Sequence, residues 1–171
     1  IDYVIAPKQI TDESIEVTLG TWNASQPLDY IASVTDTANG ATLIKGDATS
    51  GDYYLEAVTN DAGETTGINI IGRGNYAGTR YCTTPQSLAS AQITFDLSSY
   101  VYLGREWQPA VSVTVGGVVL SEADYTVAYS NNLNAGTATV KVTGQNGYYG
   151  ETSATFEILQ KDVSNEDHLL I

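Results

Sequence analysis

Cys82 and His168 are the single cysteine and the single histidine of the chain. A lone cysteine cannot close an internal disulfide. Together the two cannot make the usual Cys/His zinc set within one chain. A Ser-His-Asp or Cys-His relay would have to be built on His168, and nothing around that residue supports one. The 20 Asp and Glu residues leave a carboxylate pair formally open, but no nucleophile, base and orienting group can be assembled from the sequence. The expectation is a protein with no catalytic residue, no metal and no cofactor.

Binding chemistry has more candidates. Trp22 and Trp107 each precede a proline, Pro27 and Pro109, and Tyr149 lies near a strand end. Amphipathic rings at such places can stack on sugar faces; they can equally cover the edge of a small β-domain. Asn39 sits in a polar stretch, Thr37-Ala38-Asn39-Gly40, of the kind that forms an exposed loop on a rigid frame. The acids Asp12, Glu13, Asp47, Asp52 and Asp61, and in the second half Glu122 and Asp124 near Asn131, Asn132 and Asn134, could offer oxygens to calcium. Their spacing follows no calcium loop, and a solvated acidic surface accounts for them.

The elements that must position these residues are read from pattern. Ile15-Glu16-Val17-Thr18-Leu19, Val111-Ser112-Val113-Thr114-Val115 and the run Thr137 to Thr143 alternate apolar and polar. That is the signature of strands with one face in a core and one in water. Asn39-Gly40, Ser50-Gly51, Gly116-Gly117, Asn131-Asn132 and Asn146-Gly147 mark turns between such runs. No dozen-residue stretch has helical periodicity, and the short, evenly spaced strands predict a β-sandwich. With 7 Lys plus Arg and a formal net charge of -13 over 171 residues, neither nucleic acid nor an anionic membrane surface is a suitable partner. No apolar run reaches the roughly 18 residues a spanning helix needs. The N-terminus carries no basic-then-apolar pattern, so a secretion signal is expected outside these residues.

The chain also repeats. Asp52-Tyr53 recurs as Asp124-Tyr125, Ile68, Ile70 and Gly72 as Val140, Val142 and Gly144, and Tyr76-Ala77-Gly78 as Tyr148-Tyr149-Gly150, all at an offset of 72. Trp22 and Pro27 are the suggested counterparts of Trp107 and Pro109, which makes the first copy longer and places an insertion within 36–50. In the second copy, Tyr100-Val101-Tyr102-Leu103-Gly104, Asp124 to Asn132, Asn134-Ala135-Gly136-Thr137-Ala138-Thr139-Val140, Gly144, Tyr148, Gly150 and Phe156-Glu157-Ile158 together resemble the immunoglobulin-like repeats of Gram-positive cell-surface proteins. The first copy resembles them only from Asp52 to Thr79 and lacks the closing Phe-Glu-Ile, so its last strand is expected to be short or differently paired.

The resemblance implies two tandem immunoglobulin-like β-sandwiches, 1–85 with an insertion near 36–50 and 91–160, followed by 161–171 as an acidic tail or the start of a next module. It implies a secreted or cell-surface location, wall-attached through a parent protein, with neighbouring modules of that parent as partners. Two functions compete. One is a non-catalytic spacer that presents a distal domain. The other is an adhesin or carbohydrate-binding module that uses loops and aromatics of the first domain on a glycan or host matrix protein; the candidate binding residues are Trp22, Asn39, Trp107 and Tyr149. Tyr148 and Tyr76 are expected to act as tyrosine corners, with the ring in the core and the hydroxyl on backbone. Some domains of such surface proteins carry Lys–Asn amide crosslinks; Lys8, Lys45 and Lys141 with Asn69 are the candidates. Strand alternation turns Lys141 and Asn69 toward water, where a lysine stays charged.

Overall fold

The computed structural model describes residues 5–162; His168 and the rest of the tail from residue 163 lie outside them. The chain is all-β, with 51% of it in strands and two single-turn 3-10 segments, Pro27–Tyr30 and Glu122–Asp124. Among the described residues no helix is long and apolar enough to cross a membrane. Backbone contacts divide the chain into two compact units, 1–85 and 86–171.

Unit 1 contains β1 (Lys8–Gln9), β2 (Ile15–Leu19), β3 (Ile31–Asp36), β4 (Ala41–Thr42), β5 (Tyr53–Thr59), β6 (Thr65–Gly72), β7 (Tyr76–Ala77) and β8 (Thr79–Thr83). They form sheets ordered β2-β3-β4 and β5-β6-β8, with β1 and β7 paired in parallel. Alternation decides which residues go inside. Ile15, Ile31 and Val34 from one sheet meet Tyr53, Leu55, Ile68 and Ile70 from the other in a single core. Tyr54, Glu56 and Asn69 point the other way and are partly or fully exposed.

Unit 2 contains β9 (Gln86–Ser87), β10 (Gln92–Phe95), β11 (Ser99–Val101), β12 (Val111–Val115), β13 (Val118–Val119), β14 (Tyr125–Ser130), β15 (Gly136–Gly144), β16 (Tyr148–Tyr149) and β17 (Glu151–Leu159). Its sheets run β10-β12-β13 and β11-β17-β15-β14, and β9 pairs in parallel with β16. Leu88, Val113, Tyr125 and Val142 fill one part of the core. Tyr100, Ala138, Phe156 and Ile158 fill another, with Trp107, Tyr129, Phe95 and Tyr102 packed against it. Tyr100 is 3% exposed and its hydroxyl donates to the Asp96 carboxylate at 2.5 Å. Burial, reinforced by that acid, pushes its phenol up to about 12. Burial also raises Tyr53, Tyr125 and Tyr129, so an alkaline absorbance titration should find a late-ionising group of tyrosines, and Tyr100→Phe should reduce its amplitude by one.

The two units share one strand register. Tyr53 pairs with Gly72 in unit 1, and Tyr125 with Gly144 in unit 2. Both glycines are needed for close approach: a Cβ on Gly72 would lie 2.8 Å from the Ala77 nitrogen, and one on Gly144 2.9 Å from the Tyr149 nitrogen. The copies differ at their ends. β8 has five residues and stops before Pro85, which has no N–H to give a ladder. β17 has nine, and its far end is flanked by β11 in parallel. Leu43 and Leu120 hold the same place, each donating its N–H to Val34 or Val113, so the extra length of unit 1 lies in the β3–β4 turn and chiefly between Leu43 and Tyr53. There Asp47 accepts the Thr49 N–H and hydroxyl, both at 2.7 Å, and its carboxyl drops to about 2.

Candidate functional site: a clasp on the entering strand

Two residues of strand do not hold a chain end by themselves. The entering segment donates rungs to β7, Lys8 N–H to Asn75 at 2.9 Å and Ile10 N–H to Ala77 at 2.8 Å. Side chains supply the rest. Ile10 is fully buried in the core, and the Lys8 ammonium donates to Asp36 Oδ1 at 2.6 Å.

Asp36 ends β3 at an inward position and is 1% exposed. A buried carboxylate is costly unless it is paired and hydrogen-bonded, and this one is. Besides Lys8 it accepts the Ala38 N–H, the Asn39 amide and the Tyr76 hydroxyl, each at 3.2 Å. The Lys8 hydrogen bond, helped by Tyr76 and Ala38, holds the Asp36 carboxyl below its ordinary value, and Asp36 raises Lys8 above its own. Amide formation between the two would need a neutral amine and a protonated acid. Both shifts favour the opposite, so the pair holds the strand as ions.

This geometry corrects one expectation. The Tyr76 hydroxyl bonds a side chain, Asp36, and not backbone, because an inward acid lies within its reach. Among the described residues, Tyr81 bonds the Thr66 carbonyl, Tyr125 that of Val111 and Tyr129 that of Pro109. Unit 2 repeats the rungs, Gln86 N–H to Gly147 at 2.8 Å and Leu88 N–H to Tyr149 at 2.9 Å. It has Gln86 where unit 1 has Lys8. It has Val115 where unit 1 has Asp36, counting from the matched Val113 and Val34. The charged pair belongs to unit 1.

The four candidates from sequence occupy separate framework positions. Asn39 is part of the clasp, with its amide on Asp36. Trp22 meets Tyr30 edge-on at 5.4 Å. Trp107 stacks on Tyr100 at 4.9 Å, and its indole N–H donates to Val101 at 2.9 Å. Tyr149 lies in β16, and its carbonyl receives the Leu88 rung. The acids are also engaged locally: Asp12 with Ser14, Asp52 with the Ile44 N–H at 2.9 Å, and Asp124 in a capping box with Ser121. Among the described residues no three His, Cys, Asp or Glu are grouped to hold a metal ion. Lys141 is exposed and pairs with Glu151 at 2.6 Å. Cys82 is half-buried, and burial raises its thiol.

Sequence reading passed over Lys8 with Asp36. One signal was present: alternation from Val34 puts Asp36 on an inward position, and an inward acid requires a partner. A scan against protein-family models, a search of curated proteins and a search of solved structures each find no match.

Proposed function

We propose that this chain is a non-catalytic spacer: two tandem immunoglobulin-like β-sandwiches within a larger bacterial cell-surface protein, holding a distal domain away from the wall. Its partners in this reading are neighbouring modules of the same parent. The observation that carries it is the direction of the terminal pairing. In each unit the entering strand lies parallel to a strand that a single glycine of positive φ joins to the exiting one, β1 on β7 before Gly78 and β8, and β9 on β16 before Gly150 and β17. Tension applied through the chain ends then loads the rungs side by side, so that they break together and not one after another. Antiparallel pairing at the same place would unzip. The clasp adds an ionic contact to the same junction in unit 1.

Stretching single molecules end to end tests this. Two unfolding events are expected. Gln86→Pro should lower the force of one, since proline removes a rung, and Lys8→Pro should lower the other further, because it also takes the ammonium from Asp36. Unchanged unfolding forces in both variants would refute the spacer reading.

A further inference from the structure

The opposite feature, polar side chains with nothing to hold, occurs in unit 2. The turn between β14 and β15 separates two open clefts that share Asn134 and Ala135. One, of about 370 Å³, is lined by Glu106, Asn131 and Thr137 as well. The other, of about 500 Å³, adds Tyr102, Gln160 and Lys161. Both fall in the size range of small-molecule sites. Glu106, Asn131, Asn134, Gln160 and Lys161 are all exposed to solvent, and among the described residues no protein group engages their side chains. The cleft beside the clasp differs: there Lys8, Asp36 and Asn39 already bind one another. The matching turn of unit 1 differs too. Asn60 accepts the N–H groups of Ala62 and Glu64 and donates to the Glu64 carboxylate, closing that turn on itself.

The free groups of unit 2 stand on a fixed base. Asn132 is 7% exposed; its amide donates to the Trp107 carbonyl at 2.8 Å, and its own carbonyl accepts the Trp107 N–H at 2.8 Å. Trp107 is itself held by Tyr100 and Val101. A site held before its ligand arrives loses less on binding.

We propose that these two clefts bind a neutral saccharide, one ring unit in each, joined across Asn134. Carboxamides supply a donor and an acceptor side by side, which suits vicinal hydroxyls. Tyr102 offers an aromatic surface to the C–H face of a pyranose. Glu106 accepts from hydroxyls in one cleft and Lys161 donates in the other, so the two charges offset and a polyanion gains nothing. This assignment uses residues that bear no load in the spacer reading, and either can fail without the other.

The test is a titration of the whole 15N-labelled chain with cellobiose, maltose and di-N-acetylchitobiose, followed through the side-chain amide signals. At least one disaccharide is expected to move Asn131, Asn134 and Gln160 saturably. Asn134→Ala and Gln160→Ala, both at exposed positions, should each weaken it about fivefold with the backbone spectrum otherwise intact. No saturable movement at these amides up to about 20 mM of any of the three overturns the proposal. So does movement confined to unit 1, or equal binding by Asn134→Ala.

Discussion

Asp36→Ala is expected to lower the melting temperature of unit 1 sharply and to leave unit 2 where it was. The substitution leaves Lys8, Tyr76, Asn39 and the Ala38 N–H without their common acceptor, and breaking one side of a buried ion pair is among the most damaging single changes. Asp36→Asn keeps an acceptor but loses the charge, so it should fall between. The informative variant imports the arrangement of unit 2. Lys8→Gln with Asp36→Val removes both charges at once and should recover much of what Asp36→Ala loses, because an apolar replacement of a whole pair is often neutral. If Asp36→Ala melts like the parent, the clasp does not hold β1.

The same pair sets a pH window. The folded Asp36 carboxyl titrates below its ordinary 3.8, so its contribution is complete above 3.8 and is lost as pH falls through the folded value. Folded Lys8 titrates above its ordinary 10.5, so its contribution is complete below 10.5 and is lost as pH rises through the folded value. Unit 1 should therefore soften at both extremes, and the double variant should lose most of that dependence.

Gly144→Ala should be the most damaging methyl that can be added to unit 2. Its Cβ would meet the Tyr148 carbonyl carbon and the Tyr149 nitrogen, both at 2.9 Å. These are backbone atoms of the strand that receives β9, so the pressure cannot be relieved by turning a side chain. A cost on the order of 3 kcal/mol is expected. The matching Gly72→Ala should act on unit 1 in the same way. Urea unfolding resolves the two, since Trp22 reports unit 1 and Trp107 unit 2. A cost below about 1 kcal/mol in both would mean that the paired strands have room to part.

Local pattern located much of this architecture. Alternation marked what became β2, β12 and β15, and the offset of 72 anticipated that Tyr53 with Gly72 and Tyr125 with Gly144 hold matching registers. The clasp was harder to read because its parts lie far apart in sequence: Lys8 and Asp36 are 28 positions apart, Tyr76 and Asp36 40. Two-residue strands such as β1 and β9 carry no periodicity to detect. The tyrosine hydroxyls were assigned to backbone by analogy with one corner motif, which does not foresee an acid on the inner face of β3. The amides beside Asn134 look in sequence like any turn, and only the engagement of Asn60 in the sister copy sets them apart.

Matched rungs with unmatched side chains give the two copies separate breaking points. In acid, unit 1 has an ionic contact to lose and unit 2 has none at that position. Once unit 1 opens, its 85 residues become slack that can stretch to on the order of 280 Å while the second copy stays folded. In the spacer reading proposed above, the chain would lengthen in stages, and the order of the stages would follow the acidity of its surroundings.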